Sequence, residues 1–254
     1  KDLLLPINKE FGQTPNYINE ILIGTHELKL EKQGCTTITK TINVKEGETL
    51  TVNEKLVSQQ TTDNRQQASG NASQDISGTI NGHEYVDLGL SVKWATCNVG
   101  ADSPEDYGNY YAWGETETKA EYTEDNSVTF GQQLNDISGN AQYDAAAANW
   151  GGSWRMPTRD EIKELMYNCS WTPETQNGVD GFKVTGSNGN YIFIPASGYR
   201  DGSSSYIYGE CYYWSSTPHQ YSNDYSYILY SDYEYQSEDM NYRYRGLTIR
   251  PVSN

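Results

Sequence analysis

The sequence predicts an α+β protein: a small β-sandwich, a polar linker, and a larger domain of antiparallel sheets with two helices. Three observations carry this expectation. Short runs of alternating polar and apolar residues recur along the chain between Gly-containing turn signals, the pattern of half-buried antiparallel strands. Helix signals, by contrast, occur at only two places. All 6 Trp residues lie beyond residue 90, so the large aromatic core belongs to the second domain.

The sandwich is expected over residues 1–57. Residues 25–31 (THELKLE), 36–44 (TTITKTINV) and 49–56 (TLTVNEKL) alternate polar and apolar positions, and Gln33-Gly34 and Glu46-Gly47 mark the turns between them. Residues 58–78 (SQQTTDNRQQASGNASQDISG) carry too few apolar groups to bury and read as a flexible linker. Asn71-Ala72-Ser73 within it fits a glycosylation sequon, a weak three-residue signal. The domain over residues 79–254 opens with strand-like runs at 85–90 and 92–95. Its helices are read at 142–150, where Ala145 to Ala148 precede Gly151-Gly152, and at 158–168. There Thr158 and Glu161 form a capping box, and Ile162, Leu165 and Met166 share one face. Runs at 182–185 and 191–195 flank a Gly/Ser/Asn turn and predict a hairpin. Residues 115–138 are expected to form a surface loop, and 200–209 a Ser-rich loop.

Composition excludes some partners. With 18 Lys and Arg against 34 Asp and Glu, the net charge is −16, which repels nucleic-acid backbones and anionic lipid. No apolar run approaches the roughly 18 residues that span a bilayer. A signal or lipid anchor would lie upstream of Lys1. The 4 cysteines, Cys35, Cys97, Cys169 and Cys211, show no C-x-x-C pair and no His at metal-ligand spacing. Buried free thiols are the expectation, with a Cys97–Cys169 disulfide as the alternative. No catalytic triad, phosphate-binding loop or zinc-helix motif is present, and no cofactor or metal is expected.

The segment 210–252 is organised differently from the rest. Framework pieces, Tyr213-Trp214-Ser215-Ser216, Ile228-Leu229 and Gly246-Leu247-Thr248-Ile249-Arg250-Pro251-Val252, alternate with stretches made almost wholly of Tyr, Ser, Asp, Asn and His. That second vocabulary suits binding surfaces: Tyr gives broad rigid contact, and the small polar residues give adaptable hydrogen bonds. Tyr225 and Tyr227, Tyr233 and Tyr235, and Tyr242 and Tyr244 are each two apart, which predicts pairs on one face of extended strands. The competing reading is that Tyr is simply a good strand former.

Two family resemblances follow from quoted residues. Residues 7–15 (INKEFGQTP), 23–28 (IGTHEL) and 44–48 (VKEGE) resemble the PEGA domain, which implies a small β-sandwich spacer on surface and exported proteins. The string from Tyr85 to Ala95, Trp154-Arg155-Met156-Pro157-Thr158, Gly181-Phe182-Lys183-Val184-Thr185-Gly186, Ile194-Pro195-Ala196, Tyr213-Trp214-Ser215-Ser216 and Arg250-Pro251-Val252 resemble the Fibrobacter succinogenes major paralogous domain. That family is similar to the C-type lectin fold of the formylglycine-generating type, so the resemblance implies a C-type lectin-like domain over 79–254. The Tyr/Ser/Asp/Asn-rich tail further resembles the variable region of proteins diversified by retroelements, in which adenine-containing codons are rewritten. The resemblance implies a ligand-binding surface at Tyr212, His219, Tyr221, Asn223, Asp224, Tyr225, Tyr227, Tyr230, Asp232, Tyr233, Tyr235, Ser237, Asp239, Asn241, Tyr242 and Tyr244.

The functional expectation is therefore a non-enzymatic protein, extracellular or on the outer cell surface, that binds a protein or glycan without metal. Calcium-dependent sugar binding would need a Glu-Pro-Asn or Gln-Pro-Asp loop, and neither occurs. Two alternatives remain open. One is a formylglycine-generating-type oxidase, which would need a second reactive thiol beside Cys211. The other is a structural surface or pilus-type adhesin subunit.

Overall fold

Strands dominate the computed structural model of the chain, which describes residues 23–30, 38–45 and 76–254. The chain divides into two units, residues 1–70 and 71–254. In the first unit, β1 (Gly24–Leu30) and β2 (Ile38–Val44) pair antiparallel, with Gly24 opposite Val44 and Leu30 opposite Ile38. Ile42 and Val44 are half-buried and Thr41 and Asn43 exposed, as alternation requires. The expected strand at 49–56, most of the linker, the sequon and Cys35 lie outside the described residues.

The second unit corrects the fold class. The α+β, C-type lectin-like expectation is not met. Among the described residues there are two short helices, α1 (Ala145–Trp150, 6 residues) and α2 (Arg159–Asn168, 10 residues), against twelve strands of this unit spread over four small antiparallel sheets. The physical reason is local. The Ala run starts only after Asp144 has capped it, so residues 142–143 are turn, and Gly151 and Gly152 stop it with φ of 63° and 61°. The chain enters strand directly after α2, with Cys169 already extended.

The sheets follow chain order closely. β3 (Gly78–Ile80), β4 (His83–Val86), β5 (Lys93–Ala95) and β14 (Val252–Ser253) form one sheet, so the last strand pairs with a strand near the start of the unit. β6 (Ser170–Gln176), β7 (Val179–Thr185) and β8 (Tyr191–Pro195) form a second, and the expected hairpin at 182–195 lies within it. β6 joins β7 through Asn177-Gly178, both at positive φ, as a two-residue hairpin turn requires. β9 (Tyr199–Asp201) and β10 (Ser204–Tyr206) form a small hairpin where the sequence suggested only a Ser-rich loop. β11 (Cys211–Pro218), β12 (Tyr225–Ser231) and β13 (Gln236–Tyr242) form the meander that holds most of the candidate residues.

Two apolar clusters lie against this meander. Cys211, Tyr213 and Leu229 join Ile162, Leu165 and Met166 of α2 and Phe182, Val184, Ile192 and Ile194 of the second sheet. Trp214 and Ile228 join Trp113, Trp150, Trp154, Leu247 and Ile249. Three of the buried indoles also find a polar partner. The indole N–H of Trp113 donates to the Ser215 carbonyl at 2.9 Å, that of Trp214 to the Tyr111 carbonyl at 2.8 Å, and that of Trp154 to the Ile80 carbonyl at 2.8 Å.

Two buried arginines cross-link the second unit. Arg250 donates to Asn98 Oδ1 at 2.8 Å, to the carbonyls of Ala95 (3.0 Å) and Phe193 (2.9 Å), and to that of Thr96. Arg243 donates to the carbonyls of Tyr225 (3.0 Å) and Gln132 (2.7 Å) and lies over the Trp113 ring at 4.2 Å. Each guanidinium thereby ties segments distant in sequence into one body, using the fixed fork of donors that only Arg supplies. The 115–138 segment is drawn inward by the same means. Tyr122, Thr129 and Ile137 are buried, so it is not the surface loop the sequence suggested.

Candidate functional site

The meander sorts its tyrosines by register. Directly opposed residues share a face, so Tyr212, Tyr230 and Ser237 stand together, as do Trp214, Ile228 and Asp239 on the same side. Tyr227 lies opposite Met240 on the other side, in the row that holds Leu229 and Glu238. Helix α2 covers that row: the Arg159 guanidinium lies 3.8 Å from the Tyr227 ring centroid, and Glu238 accepts from Arg159 and pairs with Lys163 at 2.8 Å. Tyr227 is accordingly buried, only 7% exposed. The period-two expectation of a single tyrosine face is therefore corrected. Tyr225 and Tyr227 do share a strand face, but it is the face the helix packs on. Tyr233 and Tyr235 are not in a strand at all. They sit in the turn between β12 and β13, which Asp232 holds by accepting the N–H groups of Glu234 (2.8 Å) and Tyr235 (3.0 Å).

The remaining rings nevertheless connect. Tyr206 stacks on Tyr199 at 5.0 Å, Tyr199 meets Tyr212 edge-on at 5.0 Å, Tyr212 meets Tyr230 at 5.1 Å, and Tyr230 meets Tyr235 at 5.8 Å. A second series runs from Tyr244 to Tyr242 (5.3 Å), Tyr225 (4.3 Å), His219 (6.3 Å) and Tyr221 (6.0 Å). Arg245 joins the two, with its guanidinium 4.9 Å from the Tyr199 centroid and 5.4 Å from that of Tyr242. It is held by Asp201 at 2.9 Å and by Asn241 Oδ1 at 3.1 Å. Asn241 is buried and serves this positioning, whereas Asp239 and Asn223 are exposed and Asp224 and Ser237 half-exposed. By register Tyr212 and Tyr230 stand on the Trp214 face and Tyr225 and Tyr242 on the Tyr227 face, so the ribbon of rings wraps the meander through Arg245, with the ring of Phe130 5.6 Å from that of Tyr244.

Carboxylates set the charge of the ribbon. Glu210 accepts from the phenols of Tyr212 and Tyr230, each at 3.4 Å, and Asp232 accepts from Tyr230 at 3.0 Å. Burial and then Glu210 push the Tyr212 phenol up. Burial and then the Asp232 hydrogen bond do the same to Tyr230. Tyr225, hydrogen-bonded to the Tyr242 phenol, is pushed up to about 12. These rings stay neutral hydrogen-bonding groups through the physiological range.

Sequence reasoning missed Tyr199, Tyr206, Glu210 and Arg245. Tyr206 pairs with Tyr199 across a hairpin in what the sequence offered as a Ser-rich loop. The thiols are free at Cys97, Cys169 and Cys211. Cys211 is fully buried and burial pushes its thiol up, so it is a poor nucleophile. Burial likewise pushes up Cys169, to about 11. Among the described residues, no three His, Cys, Asp or Glu side chains gather as a metal site would need.

Comparison with known proteins reaches the first unit. Residues 6–60 match the family model described as PEGA domain. No curated protein and no solved structure matches the chain, and nothing in these comparisons supports the resemblance drawn for residues 79–254. Among the described residues, no helix is long and apolar enough to cross a membrane.

Proposed function

We propose that the second unit is the ligand-binding part of an exported, surface-displayed protein, and that the PEGA-type segment is its spacer. The ribbon is the contact surface, and its partner is a protein or a glycan bound without metal. The single observation that carries this reading is the continuity of the ring series from Tyr206 through Arg245 to Tyr221. Rings already held by their neighbours lose little freedom on binding, and their phenols with Glu210, Asp232 and Asp239 supply directional hydrogen bonds. The ribbon stands on a framework fixed by buried Trp and Arg residues, so its exposed members are replaceable. Replaceability is what a retroelement-type variable region requires, and we extend the proposal to Tyr221, Asn223, Tyr225, Tyr235, Asp239, Tyr242 and Tyr244 as varied positions. Tyr227 and Asn241 drop out of the contact set because they are buried.

The test is a glycan and protein array probed with the chain and with a variant carrying Tyr221→Ala, Tyr225→Ala, Tyr235→Ala and Tyr242→Ala. Array partners retained by the chain and lost by a variant that melts at a similar temperature support the proposal. Partners bound equally by both sink it.

A further inference from the structure

Five separate segments of the second unit, one of them giving Ala196 after β8, meet around one pocket of about 270 Å³. Tyr107 comes from the loop after β5, Asp180 from the start of β7, Ile207, Tyr208 and Gly209 from the connection between β10 and β11, and Tyr233 from the β12–β13 turn. The pocket shares no residue with the ribbon. Its lining contains three phenol rings and one carboxylate, and no Lys or Arg. The Asp180 carboxylate stands near two of the rings: burial, and then Asp180, push up the phenols of both Tyr107 and Tyr233.

The walls are preset rather than loose. Asn177 donates to Glu105 at 2.6 Å and ties the Tyr107 loop to the β6–β7 turn, while Asn98 donates to the Tyr107 carbonyl at 2.9 Å. Asp180 accepts from the Thr175 hydroxyl at 2.6 Å. Gly209, at φ +91°, gives the Tyr233 ring room to lie against it, since a Cβ there would come within 3.1 Å of that ring. Tyr233 also packs against Phe182, 6.2 Å away between centroids. Tyr208 and Tyr233 remain well exposed, so the pocket is open to solvent.

Phenol oxygens around a single carboxylate, with no competing cation, accept hydrogen bonds from a positively charged N–H donor. A metal ion would need several oxygen ligands converging on one point, and the pocket offers one carboxylate. An anion would meet Asp180 with nothing to offset it. We infer that this pocket binds an organic ammonium group, either a free alkylammonium ion or the end of a lysine side chain on a partner. The net charge of −16 draws such groups toward the chain, and the pocket is where one can meet the Asp180 carboxylate and the phenol oxygens together. The inference stands apart from the ribbon proposal, since a chain whose ribbon bound nothing would still carry this cage.

Calorimetric titration of the full chain tests it, using tert-butylammonium chloride, N-acetyl-lysine amide and, as a neutral shape match, tert-butanol. Saturable one-to-one binding of either cation at millimolar concentration is expected, with no binding of tert-butanol. Which cation binds more tightly distinguishes a free ion from a lysine side chain. Asp180→Asn and Tyr233→Ala should each weaken binding about fivefold or more. Both residues are exposed, so melting temperature should hold and confirm that the fold is intact. Absence of saturable binding by both cations overturns the inference. So does tert-butanol binding as tightly as the cation, or full binding by folded Asp180→Asn and Tyr233→Ala.

Discussion

Tyr221 and Tyr227 are the same side chain in the same run of sequence, yet they meet different fates. Tyr221 is 84% exposed, and Tyr227 is 7% exposed beneath the Arg159 guanidinium. Tyr227→Ala should cost about 3 kcal/mol through lost burial and the cation–π contact. Tyr221→Ala should change stability by less than about 0.5 kcal/mol. Urea unfolding of the two variants measures both, and equal losses would contradict the burial described. A single sequence could not make this distinction. Period two fixes which residues share a strand face but not which face a helix later covers. Asp144 shows the opposite case, a polar residue whose role is structural. Its buried carboxylate accepts the N–H groups of Gly139 (2.7 Å), Ala147 (3.0 Å) and Met156 (2.8 Å). Burial pushes this carboxyl up, and the three donors oppose that rise. Asp144→Ala leaves three N–H groups without their acceptor and should destabilise the unit by about 3–5 kcal/mol in the same assay.

At the scale of elements, α2 was the most legible. Thr158 and Glu161 form the capping box their spacing predicts, and Ile162, Leu165 and Met166 are buried together. Glu161 does more than cap. Arg155 donates to both of its carboxylate oxygens, at 2.8 Å and 2.6 Å. Burial alone would raise the Glu161 carboxyl, but the Arg155 and Thr158 hydrogen bonds outweigh it and hold it below the ordinary value of 4.5. A depressed carboxyl contributes stability above its unfolded value and loses it as pH falls through its folded one. Glu161→Gln should therefore cost about 1–2 kcal/mol at pH 7. The gap from the unchanged chain should close as pH falls below 4.5, read from thermal melts across that window. A gap that stays constant would contradict this. β6 was harder to read: its SWTPETQ run lacks apolar alternation and contains Pro173. It sits at the edge of its sheet, where a missing N–H is tolerated and five of its seven residues are exposed. The inward-drawn 115–138 segment was illegible for a related reason. Its hold depends on Arg243, 111 positions from the Gln132 carbonyl it binds, and no local pattern announces such a contact.

For the whole molecule, antiparallel strands were legible in the alternating runs, but the two helix signals, both of which formed, led to an α+β fold class that the many small sheets overturn. Buried Trp and Arg groups spread over the second unit, together with the apolar face of α2, hold its small sheets together. That framework carries the aromatic ribbon that we propose as the contact surface. The most direct test is the equilibrium affinity of an array-identified partner for three proteins: the chain, the Tyr221/Tyr225/Tyr235/Tyr242→Ala variant, and Tyr167→Ala, an exposed tyrosine of α2 outside the ribbon. At about 1 kcal/mol per contact residue, the ribbon variant should bind at least about 100-fold more weakly, with Tyr167→Ala unchanged. Equal affinity across all three, with every variant folded, would contradict the account.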